Sequence, residues 1–245
     1  MKKYLWVWGL LASCLLLLGG CAADVAVVIP DGEQPSVEAP EIKYGSVITE
    51  KTQKDQGVVY STVTISGLEL ALTDAKKNEA LTRINQDLAN LSQGFIEKLQ
   101  MDDQIAHDGM TATQYVHTRD FTVLAQGGDF ISIGVGCYDS SSDAAHPVVS
   151  KLAYTYDLNS GVLKTLEDYL GTDGQTQAAA QLLQQIKADQ LTAEFNPSLA
   201  EDLVTNLTAG KWYDNGEGLT IIYNPYEIAA YAAGILEFTI SYSNK

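Results

Sequence analysis

His146 is the side chain best placed for chemistry, standing at a loop-to-strand junction before Pro147 with Asp143, Ser141 and Ser142 close by. Serine, histidine and aspartate are the nucleophile, base and orienter of acyl-transfer triads. Residues this near in sequence seldom point at one another as a triad demands, and no Gly-x-Ser-x-Gly elbow is present. The expectation is a loop histidine that bonds backbone groups and stays available to a ligand. A metal centre needs ligands gathered at recognisable spacing. His107, His117 and His146 are scattered and no cysteine pair accompanies them. Asp102-Asp103 and Asp139 to Asp143 lack the spacing of a calcium loop. No metal, no cofactor and no catalytic residue is therefore expected.

Tyr223, Tyr226 and Tyr231, with Trp212 and Tyr213 upstream, form an aromatic group near the C-terminus. Tyrosine joins a broad apolar face to a polar tip and is favoured at recognition surfaces. Tyr223 and Tyr226 are expected to help close the core beneath a loop. Tyr226, Glu227 and Tyr231, with His146, are also the candidate ligand-binding residues. Glu227 either meets a basic partner or caps a neighbouring turn.

The elements that must position these residues are legible as periods. Gly45–Lys51 and Val58–Ser66 read as strands around a polar turn at Lys54–Gly57. A helix is expected from Asp74 to Leu99, because Leu81, Ile84, Leu88, Leu91, Phe95 and Leu99 recur at three and four. From Thr113 the period becomes two, with Tyr115, His117, Arg119, Phe121 and Val123 on one face. Gly127–Asp129 turns into a strand at Phe130–Tyr138, where Cys137 should share the inward face of Ile131, Ile133 and Val135. Further strands are expected at Val148–Leu158, Val162–Leu166, Leu219–Tyr223 and Ile235–Tyr242. Helices are expected at Gln175–Leu191 and from Ser198, where Glu201 completes a capping-box spacing, to Gly210. Strands and helices mix without a βαβ rhythm, so the class is α+β, two small sheet-and-helix domains with antiparallel sheets each packed by helices.

The N-terminus speaks to location. Lys2 and Lys3 precede an apolar run from Tyr4 to Leu18, then Leu18-Gly19-Gly20-Cys21. This layout is that of a signal peptide, and its ending resembles the bacterial lipobox. The resemblance implies cleavage before Cys21 and acylation of that residue, which would hold the protein at the membrane without a spanning helix. Residues 1–20 are read as signal peptide and 21–42 as a Pro-rich acidic tether. The chain carries a formal charge of −16, and loss of Lys2 and Lys3 with the signal makes it −18. Such a surface repels nucleic acid. Of the three cysteines, Cys14 leaves with the signal and Cys21 carries lipid, leaving Cys137 without a disulfide partner.

Two stretches carry a family likeness. One runs from Phe130-Ile-Ser-Ile-Gly through Asp143-Ala-Ala-His146-Pro147 to Tyr154-Thr-Tyr-Asp157 and Leu166-Glu-Asp-Tyr169-Leu. The other is Gly218-Leu-Thr-Ile-Ile-Tyr223-Asn-Pro225-Tyr226-Glu227-Ile228-Ala-Ala-Tyr231-Ala-Ala-Gly234. Together they resemble the extracytoplasmic domain of unknown function of RsiV-like anti-sigma factors and PdaC-type peptidoglycan deacetylases. Residues 43–124 are similar to the smaller domain that precedes it there, leaving 125–245 for the RsiV-like domain. Asp143-Ala144 stands where the family often has Gly-Gly, and Ala230 where it often has Pro.

The deacetylases' catalytic domain has no counterpart here, nor has the cytoplasmic segment of the anti-sigma factors. The resemblance implies a non-catalytic binding module on the outer face of the bacterial cytoplasmic membrane. Its expected partners are a lysozyme-like protein, as in RsiV-like proteins, or peptidoglycan. A cell-wall hydrolase and an accessory subunit of a membrane signalling complex are the alternatives.

Overall fold

The first described elements form a long hairpin. β1 (Ile42–Asp55) and β2 (Val58–Leu72) pair antiparallel across Gln56-Gly57, which both take positive φ, 47° and 87°. Paired left-handed residues match the twist of the flanking strands, and glycine adopts that conformation without penalty. Both strands outrun the expected spans. The computed structural model describes residues 41–72, 78–109, 113–171, 174–188 and 207–241. The signal peptide, Cys21, the tether up to residue 40 and residues 198–206 of the helix expected to end at Gly210 lie outside these residues; Ile42, expected to close the tether, opens β1.

α1 (Glu79–Gly109) opens where Asn78 Oδ1 accepts from the Leu81 amide at 3.1 Å, an N-cap bond. Its buried stripe holds Leu81, Ile84, Leu88 and Ile96, with Leu91, Phe95 and Leu99 partly buried beside them. The helix runs ten residues beyond the expected end at Leu99. The inward stripe does not stop there; it turns polar. Asp103 and His107 continue the face at helical spacing and are 4 % and 6 % exposed.

β3 (Tyr115–Gln126), β4 (Phe130–Ser141) and β5 (Val148–Asp157) follow as a meander. The sheet order is β1-β2-β3-β4-β5. β2 and β3 run parallel, Ser61 opposite Tyr115 to Ser66 opposite Asp120. The expectation of antiparallel sheets is corrected at this point. A helical crossover returns the chain to the end where β2 began, and that makes the pair parallel. The boundary expected between residues 124 and 125 falls inside β3, which pairs on both sides.

The strand expected at Val162–Leu166 is a bridge from Leu163 to Tyr156 followed by the single turn α2 (Leu166–Leu170). Thr165 and Asp168 cap it reciprocally, each side chain bonding the other's backbone amide. α3 (Gly174–Ala188) comes next. β6 (Trp212–Asp214), β7 (Gly218–Tyr223) and β8 (Leu236–Ser241) then form a three-stranded antiparallel sheet in that order.

Val37–Lys245 is one compact unit, and within it the second sheet lies between α3 and the first sheet. Leu219, Ile221, Tyr223, Phe238 and Ile240 pack with Ala178, Leu182 and Ile186 of α3, while Ile222 and Tyr213 meet Ala153 of β5. Every residue of β7 is therefore buried. Between the sheets, Ser132 Oγ donates to the Asp214 carbonyl at 2.6 Å and Thr155 Oγ1 accepts from the Asp214 amide at 3.1 Å. Hydroxyls so placed satisfy backbone groups that water does not reach. Among the described residues, no helix is long and apolar enough to cross a membrane.

Candidate functional site

β7 delivers the chain into the loop Asn224–Ala230, and the loop is tied down at three points. The Asn224 side chain accepts from the Lys151 amide at 2.7 Å and donates to its carbonyl at 3.2 Å, completing the free edge of β5. Glu227 Oε2 accepts from the Asn224 amide at 2.8 Å, and Glu227 Oε1 pairs with Lys211. Ile228 is buried in the core below. With both ends fixed, Tyr226 is driven to φ 71°, held there by its amide bond to the Ala229 carbonyl at 3.0 Å.

A tyrosine in the left-handed region is uncommon and costs roughly 1 kcal/mol or more. Here the residue it displays is 66 % exposed. Tyr226 packs against Tyr231 with centroids 5.6 Å apart, and Tyr231 against His146 at 4.1 Å. The Tyr231 hydroxyl donates to the Pro147 carbonyl at 2.6 Å, the same oxygen that lies 3.0 Å from His146 Nδ1. His146 thus bonds backbone, as expected.

Three of the four candidate residues form one aromatic row, with His146 and Tyr226 exposed and Tyr231 half-buried between them, and the fourth, Glu227, braces the loop beneath it. Of the two roles expected of Glu227, the cap is present: one carboxylate oxygen accepts from the Asn224 amide, while the other pairs with Lys211 of the same chain. The shared expectation for Tyr223 and Tyr226 divides. Tyr223 is buried in the core, its phenol pushed up by burial and then by the charge of Glu227; Tyr226 is not in the core, because the left-handed turn points it outward.

A second constellation escaped the sequence reading. His117 lies between two carboxylates, Nε2 at 3.0 Å from Asp103 and Nδ1 at 2.6 Å from Asp139. Ser61 Oγ donates to Asp103 at 2.5 Å, and Arg119 bonds Asp139 at 2.8 Å while lying over the Phe95 ring. Burial acts against an imidazolium here, but the hydrogen bonds and charges of Asp103 and Asp139 prevail and push His117 up to about 9. Burial likewise opposes ionisation of Asp139, yet bonds from His117 and Arg119 hold its carboxyl below the ordinary value.

Two acids and two cations balance, with Asp103, His117, Arg119 and Ser61 all buried. Ser61 is bonded to the acid and both imidazole nitrogens are occupied, so the group joins β2, α1, β3 and β4 and lacks the serine-to-histidine contact of a triad. The signal for it was present: His117 and Arg119 alternate with Phe121 and Val123 on an inward face, which demands buried acids nearby.

Residues 160–243 match the family model for a protein of unknown function, DUF3298. The match holds Tyr226, Glu227 and Tyr231, and His146 precedes it. The likeness found in the sequence to an extracytoplasmic domain of unknown function accords with this match. A DUF3298 family structure from Bacteroides fragilis superposes with a TM-score of 0.58 at 14 % identity, covering 83 % of this chain and 91 % of that one. A second, from Pseudomonas aeruginosa, gives 0.52 at 16 % identity, covering 84 % and 92 %. These likenesses show the DUF3298 fold across most of the chain. No curated protein matches it.

Proposed function

We propose that this chain is a non-catalytic recognition module, held by lipid on Cys21 at the outer face of a bacterial cytoplasmic membrane, and that it captures a cationic protein through the row His146–Tyr231–Tyr226. One observation carries the reading: Tyr226 is displayed at a backbone conformation that costs free energy and is braced by Asn224, Glu227 and Lys211. Strain of this kind persists where the surroundings enforce it and concentrates at functional surfaces. The net charge of −16 favours a basic partner and speeds its approach. A lysozyme-like muramidase has the charge and the extracellular setting that fit.

Calorimetric titration of lysozyme into the mature chain at low and moderate salt tests it. The expected result is micromolar or tighter binding that survives the higher salt and weakens at least about tenfold in Tyr226→Ala and Tyr231→Ala. Binding that vanishes with salt, or that ignores both substitutions, would reduce the interaction to charge attraction.

A further inference from the structure

β1 is the edge strand of the five-stranded sheet, paired on one side only among the described residues. Along it only Ile42 is buried. Ile48 is 73 % exposed, and Val47 and Tyr44 about half. Proteins blunt such edges with charge, proline or a bulge. Here the ladder shifts register between Gln53 and Lys54, where Tyr60 of β2 is the extra residue, and the charges of β1 sit at Lys43, Glu50, Lys51 and beyond. The centre, Tyr44–Thr49, has neither charge nor proline.

We propose that β1 is a self-association surface, on which a second copy of this chain pairs β1 against β1 to join the two sheets. Charge selects a copy at this place. A chain of net charge −16 repels itself over most of its surface, yet β1 sets Lys43, Lys51 and Lys54 against only Glu50 and Asp55. Register supports the same partner. Antiparallel strands related by a two-fold axis normal to the sheet keep their faces, so residues of like parity oppose one another. An axis through Ser46 sets Tyr44 opposite Ile48 of the second copy, twice by symmetry, and Gly45 opposite Val47. Aromatic and β-branched residues are favourable cross-strand partners. Moving the axis to Val47 sets Lys43 opposite Lys51, also twice, which is repulsive.

Sedimentation velocity on the full chain in mild detergent, from about 1 to about 100 μM, reads the association directly. The expected result is a concentration-dependent dimer whose dissociation constant rises at least about tenfold in Ile48→Lys, with unchanged circular dichroism because that side chain is exposed. The register has its own test. Residues opposed across antiparallel strands have Cα atoms about 4.5–5.5 Å apart, within disulfide reach. Ser46→Cys should therefore form disulfide dimers that the parent chain does not. Glu50→Cys, opposite Ile42, should not. A monomer at every concentration, undiminished association of Ile48→Lys, or equal crosslinking of the two cysteine variants would overturn the proposal.

Discussion

His117 keeps its proton at neutral pH because both ring nitrogens face carboxylates, at 3.0 and 2.6 Å. Its folded value of about 9 lies above the 6.5 of the free side chain. The stabilisation this brings is complete below about pH 6.5 and is lost as pH rises through about 9, since the unfolded chain has already released the proton. Thermal stability should thus fall between pH 7 and pH 9, by at most about 1.4 kcal/mol per pH unit, and the slope should flatten in His117→Gln. Asp103→Asn leaves a buried imidazolium with one carboxylate fewer and should cost about 3 kcal/mol in a denaturant melt. Tyr226→Asn separates display from binding: asparagine tolerates φ 71°, so stability should hold or rise by up to about 1 kcal/mol while the lysozyme binding proposed above should fall.

The elements show where sequence periods were enough and where they were not. The stripe Leu81–Leu99 located α1 because apolar residues at three and four announce a packed face. The helix end was missed because Asp103 and His107 continue that face as polar residues, and their burial depends on partners from β2 and β3 that no local pattern contains. The face running from Tyr115 to Val123 is the inward one: His117, Arg119 and Phe121 are buried on it, with Tyr115 and Val123 half-buried at its ends. β6 is three residues long and α2 a single turn, too short for either period to register. At the site, the aromatic group was visible as a cluster of types. Its geometry was not, because Tyr231 meets His146 across a separation in sequence that only the packing of the second sheet closes. The turn at Gly161 offers a test at this scale. Its φ is 72° and an added Cβ would lie 2.4 Å from the Ala80 carbonyl oxygen. Gly161→Ala should destabilise by about 2 kcal/mol or more, read by urea denaturation, since the backbone at the start of α1 would have to move.

For the whole molecule, the expected α+β class holds, and its layers run α1, mixed sheet, antiparallel sheet, α3. The parallel pair at the centre of the larger sheet has a consequence for biogenesis. Ser61 finds Tyr115 only after all of α1 has been made, and contacts so distant in sequence form slowly because loop closure precedes any reward. Until β3 arrives, the β1–β2 hairpin is a two-stranded ribbon with both edges bare. During synthesis it is therefore the part of the chain most in need of a holding chaperone. A pulse of protease on ribosome-bound chains should cut the hairpin in lengths ending before residue 115 and spare it once β3 and β4 have emerged.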